Sequence, residues 1–126
     1  MKKADKFHKI ANEFLIIFDA SELSGRKKNL VRAVDAFCST VRYNYPTITL
    51  SDVANMVNKY FDKNNKNYRH SDVIFAERRH LARMEDSLSG DLFYRECYNE
   101  VILKLTNNNI IPKYEKKQQE QRVDSI

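Results

Sequence analysis

Two glycines and two prolines in 126 residues leave this chain few places to reverse direction sharply. Sandwiches and barrels need turn residues throughout, so their scarcity predicts an all-α fold. The length suits a single domain with a single core, and is too short for a nucleotide-binding domain with a separate module. A single-domain helical bundle of about five helices is therefore expected.

Apolar spacing divides the chain accordingly. From Lys3 to about Asp19, Phe7, Ile10, Ala11, Phe14, Leu15 and Phe18 recur at steps of three and four, the mark of an amphipathic helix. Ala20 to Asn29 breaks that pattern, and Arg26-Lys27-Lys28 after Ser24-Gly25 reads as a compact basic loop. Leu30, Val31, Val34, Phe37, Cys38 and Val41 form the stripe of a second, central helix that stops before Pro46. Thr49-Leu50-Ser51-Asp52 is a capping arrangement for a short third helix on Val53, Met56, Val57 and Tyr60 or Phe61. Asp62 to Tyr68, rich in Asn and Lys, reads as a turn that adds Lys63 and Lys66 to the local positive charge. A fourth helix runs to about Asp86. After a break at Ser87 to Gly90, a fifth begins with Ser89 or Asp91 as cap and carries Phe93, Cys97, Val101, Ile102 and Leu105. Asn107-Asn108-Asn109 ends it, and Ile110, Ile111 and Pro112 are expected to pack back. Residues 1–111 thus read as the helical domain and 112–126 as a flexible polar tail.

The fourth helix organises the functional reading. Its helical wheel gathers Val73, Ala76, His80, Leu81, Met84 and Leu88 on an inner side. Ser71, Phe75, Arg78, Arg79 and Ala82 fall on the outer side, with Arg69 and His70 just ahead of the first turn. Both Arg78 and Arg79 are expected to project away from the core. Such a face suits a helix lying in a DNA major groove. Arginines on an outer face are also ordinary solvated surface. Phe75 weighs against that, because an aromatic there needs a partner: a neighbouring helix, a thymine methyl or a second copy of the chain. Ser71 is a candidate cap for the helix, and His80 a satisfied core histidine.

The net charge of +5 and pI near 9.2 favour an acidic partner. Arg26, Lys27 and Lys28 are suited to phosphates or a narrow minor groove, though three adjacent cations are equally a solubilising surface. Nothing points to catalysis: there is no nucleotide-binding glycine motif, no histidine pair at metal spacing and no nucleophile with its base. No enzyme activity, cofactor or metal is expected, and Cys38 and Cys97 are expected to be buried reduced thiols. No apolar run reaches membrane-spanning length and no signal peptide opens the chain, so a cytosolic location is expected.

A short helix, a connection and a helix with a cationic outer face make a helix-turn-helix element. Its residues resemble the carboxy-terminal DNA-binding domain of the bacterial replication initiator DnaA, a helical domain of the Trp-repressor-like class. That family's recognition helix opens Asp-His-Thr-Thr-Val and an aliphatic residue; here stand Arg69-His70-Ser71-Asp72-Val73-Ile74, followed by Ala76 and Arg78-Arg79. Leu50-Ser51-Asp52-Val53-Ala54 is similar to the family's Leu-x-x-Ile-Gly, and Ser24-Gly25-Arg26-Lys27-Lys28 to its basic loop. The likeness of layout spans about Phe7 to Leu105. It implies duplex DNA binding, with His70 and Ser71 on bases or phosphates and Arg26, Lys27 or Lys28 in the adjacent minor groove. Arg69 and Asp72 replace the family's Asp and second Thr, and the connection before His70 is longer, so its base preferences and docking angle do not carry over.

The expectation is a small double-stranded-DNA-binding protein, a transcriptional or replication accessory regulator of a phage or mobile element. Arg69, His70, Ser71, Phe75, Arg78 and Arg79 would lie in the major groove, and Arg26, Lys27, Lys28, Lys63 and Lys66 on the backbone. The alternative is a helical protein-interaction module without DNA binding, with Phe75 and its neighbours on a partner helix or a second subunit.

Overall fold

The computed structural model describes residues 3–20, 26–61, 67–85 and 90–112, among which the chain forms five helices and no strand. They are α1 (Lys3–Ala20), α2 (Arg26–Asn44), α3 (Leu50–Tyr60), α4 (His70–Met84) and α5 (Leu92–Asn107). None of them is long and apolar enough to cross a membrane.

α2 is the axis of the bundle. Ala33, Val34, Ala36, Phe37, Cys38 and Val41 are buried, and so are the polar Asp35, Thr40 and Asn44, so its middle turns are enclosed on nearly every side. Its most extensive packing is against α1 and α4. Thr40 donates to the Ala36 carbonyl (2.8 Å) and Asn44 Nδ2 to the Thr40 carbonyl (2.9 Å), which gives both donors a partner within the helix. Asp35 has no such local solution, since a buried carboxylate needs cations from elsewhere.

α1 buries the stripe its spacing predicts, Phe7, Ile10, Ala11, Phe14 and Phe18. α5 runs antiparallel to it, as the ring contacts of Phe18 with Phe93 and Tyr94 and of Phe14 with Tyr98 show. The inner face of α5 is wider than the expected stripe, because Tyr94 and Tyr98 are buried beside Cys97, Val101, Ile102 and Leu105.

The connections follow local chemistry. A turn at Pro46-Thr47 is closed by the Ile48 N–H on the Tyr45 carbonyl (3.0 Å), and proline presets the backbone angle that its second position requires. Thr49 then caps α3, accepting from the Asp52 N–H at 3.0 Å. Asp91, rather than Ser89, caps α5 by accepting from the Tyr94 N–H at 3.0 Å. Gly90 permits a close approach ahead of that cap, where a Cβ would overlap the Glu85 carbonyl. After α5, Asn109 takes the left-handed conformation (φ 57°), the Ile110 N–H returns to the Leu105 carbonyl (2.9 Å) and Ile111 is buried, as expected for that end.

Several expectations need correction. Arg26-Lys27-Lys28 form the first turn of α2 and not a loop. Leu30 and Val31 are exposed, because Asn29 and Ala33 supply the buried face at that end of α2. Leu81 is 58% exposed rather than inside, since the buried arc of α4 is turned toward Arg79 and Arg83, which reach across to α2. Leu88, Lys63, Lys66 and residues 113–126 of the tail lie outside the described residues.

Candidate nucleic-acid interface

The start of α4 is fixed at three points. The Asn58 amide of α3 pairs with both backbone groups of Tyr68: the Tyr68 N–H donates to Oδ1 (2.8 Å) and Nδ2 donates to the Tyr68 carbonyl (3.1 Å). The Tyr68 hydroxyl runs along the helix to donate to the Asp72 carbonyl at 3.2 Å. The Asp72 carboxylate reaches back to accept from the Arg69 N–H at 2.8 Å, a reciprocal cap that places negative charge at the positive end of the helix. The expected cap, Ser71, lies inside the first turn, and Arg69 holds the N-cap position.

The inner side is held by a buried carboxylate. Asp35, fully enclosed on α2, accepts from Arg79 Nε (2.9 Å) and Nη2 (2.8 Å) in a two-pronged pair and also from Arg83 Nη1. Arg79 is exposed, as its wheel position suggested, with 44% of its side chain open, but it is not free, because its guanidinium is held by Asp35. The guanidinium reaches from the edge of the open face to Asp35, and that bond raises its pKa further. Arg42 and Glu77 add a second link between α2 and α4 at 3.0 Å. Arg83 lies over the Tyr94 ring, and His80 shares a 2.6 Å hydrogen bond with the Tyr94 hydroxyl. Burial, with Arg83 close by, lowers the His80 pKa to about 4, so the imidazole is neutral at pH 7, the satisfied core histidine its position predicts. Burial pushes the Tyr94 hydroxyl up, as it does the thiol of Cys38, which is an inert buried group.

The face left uncovered carries His70, Ile74, Phe75, Arg78, Leu81 and Ala82, with Arg69 ahead of the helix and the exposed Arg79 and half-buried Ser71 at its edges. Phe75 is 52% exposed, and the Arg78 guanidinium carbon sits 5.7 Å from its ring centroid. The arginines whose side chains are described divide into two groups. Arg32, Arg42, Arg79 and Arg83 are paired with Asp91, Glu77 and Asp35, and Arg95 donates to the Glu85 carbonyl. Arg69 and Arg78 have no ion pair among the described residues, and both stand on or beside the uncovered face.

The fold thus brings together Arg69, His70, Ser71, Phe75 and Arg78, while Arg79, exposed at the edge of that face, is tied to Asp35. Arg26, Lys27 and Lys28 begin a helix whose next turn is tied by Arg32 to Asp91 (3.2 Å), so their backbone lies toward the junction of α4 and α5. Sequence reasoning missed Asp35, Asn58 and Arg83. The visible signal for the first was a lone acid in the apolar run Ala33-Val34-Asp35-Ala36-Phe37. Ile74 and Leu81 were not placed on the outer face, which makes it more apolar than expected. Among the described residues no three His, Cys, Asp or Glu side chains gather as metal ligands would. The chain matches no protein-family model, no curated protein and no solved structure.

Proposed function

We propose that the chain binds double-stranded DNA through a helix-turn-helix made of α3 and α4, with α4 in the major groove. One observation carries the reading. Among the described residues the anchors of α4 lie at its start or on its inner side, while its outward face presents Phe75 and Arg78, which has no ion pair among those residues, with Arg69 and His70 at the leading end. A recognition helix needs this division between a rigidly held back and an accessible front. The likeness of Arg69 to Arg79 to the DnaA recognition helix supports the same reading, and with it a role as a transcriptional or replication accessory regulator of a phage or mobile element. Such a role requires neither catalysis nor a cofactor.

Arg69 and Arg78, with Lys63, Lys66 and the Arg26-Lys27-Lys28 turn, would supply the phosphate and base contacts. With about six phosphate contacts, affinity for a duplex selected from a random pool should fall roughly a thousandfold between about 50 and 200 mM salt. Affinity that ignores salt would defeat the proposal. The exposure of Ile74, Phe75 and Leu81 on one face favours a second reading, a protein partner or a second copy seated on α4. That apolar contact would persist at high salt, and the same titration separates the two. A palindromic selected site would indicate a symmetric dimer on DNA, and a single short site a monomer.

A further inference from the structure

We infer that Phe75 and Arg78 act as one unit that reads a thymine and a neighbouring guanine in the major groove, Phe75 against the thymine C5-methyl and Arg78 on guanine O6 and N7. The inference rests on the DNA reading above and adds which base chemistry α4 recognises.

The pair is already assembled, with the guanidinium carbon 5.7 Å from the ring centroid. The ring restricts where the guanidinium can go, so less conformational freedom is lost when it docks. Arg78 has no ion pair among the described residues, which leaves its fork of donors for a base edge, whereas Arg79 beside it is committed to Asp35. Residues three apart on a helix are offset by about 4.5 Å along its axis, close to the roughly 3.4 Å between successive base pairs. Two side chains in mutual contact at that spacing meet adjacent base pairs.

Groove chemistry selects the bases. The thymine methyl is the apolar group on the major-groove edge, and guanine offers the two acceptors that a guanidinium fork can hold together. Adenine and cytosine each present an amino donor there, which opposes a cation. The arrangement therefore favours a T·A pair next to a G·C pair over any step without a methyl beside two acceptors.

The test uses the full chain and the duplex it enriches from a randomised pool, remade with each thymine in turn replaced by deoxyuridine, which lacks only the methyl. At one thymine beside a guanine, the replacement should weaken binding about fourfold, the loss expected for one buried methyl. Phe75→Ala should bind more weakly and lose that difference. Arg78→Ala should relax the preference for the adjacent guanine by about tenfold or more. Both side chains are exposed, so circular dichroism should show unchanged helicity for both variants. Selective binding that tolerates deoxyuridine at every position, or that stays sensitive to it in Phe75→Ala, overturns the inference and leaves DNA binding standing. Binding without sequence preference does the same. No duplex binding at low salt overturns the DNA reading and this inference with it.

Discussion

Arg78 and Arg79 are neighbours in sequence but about 100° apart around the helix, and that rotation separates their roles. Arg78 lies over Phe75 on the open face, while Arg79, at the edge of that face, grips the buried Asp35. Arg78→Ala should change folding stability by less than about 0.5 kcal/mol, the usual range for an exposed position. Arg79→Ala removes two charge-assisted bonds from a buried carboxylate that keeps Arg83, and should cost about 2 kcal/mol. Removing Arg79 and Arg83 together strands Asp35 and should cost about 3 to 5 kcal/mol. Urea unfolding of the three variants checks this ranking, and equal losses for the two single variants would contradict the assignment. A helical wheel cannot make the distinction, because Arg79 stands at the edge between the faces. Its orientation depends on an acid far away in the sequence, whose only local sign is its place among apolar neighbours.

At the scale of elements, the stripes of α1 and α3 were legible because each helix buries one face against the rest. The start of α2 was not, since Arg26-Lys27-Lys28 put cations where the helix dipole disfavours them and read as loop. Packing of the following turns outweighs that local preference. The junction between α3 and α4 is longer than a typical helix-turn-helix connection, and Asn58 supplies the registration that a short turn would give. Asn58→Ala should cost about 1 to 2 kcal/mol for two lost bonds, and hydrogen exchange should accelerate at the first turn of α4 and not in α1. Between α4 and α5, the neutral His80 makes stability depend on pH. Its pKa is about 4 in the fold, against about 6.5 for an ordinary histidine, so between those values the unfolded chain binds the extra proton. The contribution is complete above about pH 6.5 and is lost as pH falls toward 4, to a total of about 3 kcal/mol. Thermal unfolding between pH 7 and 4 should show this decline, and His80→Gln should flatten it.

The whole molecule poses a question of reach, because the two cationic regions stand on different helices. Lys28 precedes Asp35 by about 10 Å along α2, and Asp35 is the residue to which Arg79, next to Arg78, is tied. That rise, along the helix behind α4, is comparable to the roughly 12 Å width of the major groove, and the DNA reading requires a duplex on α4 to bring its flanking backbone to the first turn of α2. On the DNA reading, that turn meets phosphates and the α4 face meets bases. Replacing Arg26, Lys27 and Lys28 together with Ala should then weaken all duplexes by a similar factor and lower the salt slope by up to about three. Arg78→Ala should instead compress the difference between selected and unselected sequences. If the triple replacement removed preference for one sequence while sparing the others, the turn would be reading bases, and the division of labour between α2 and α4 would have to be reversed.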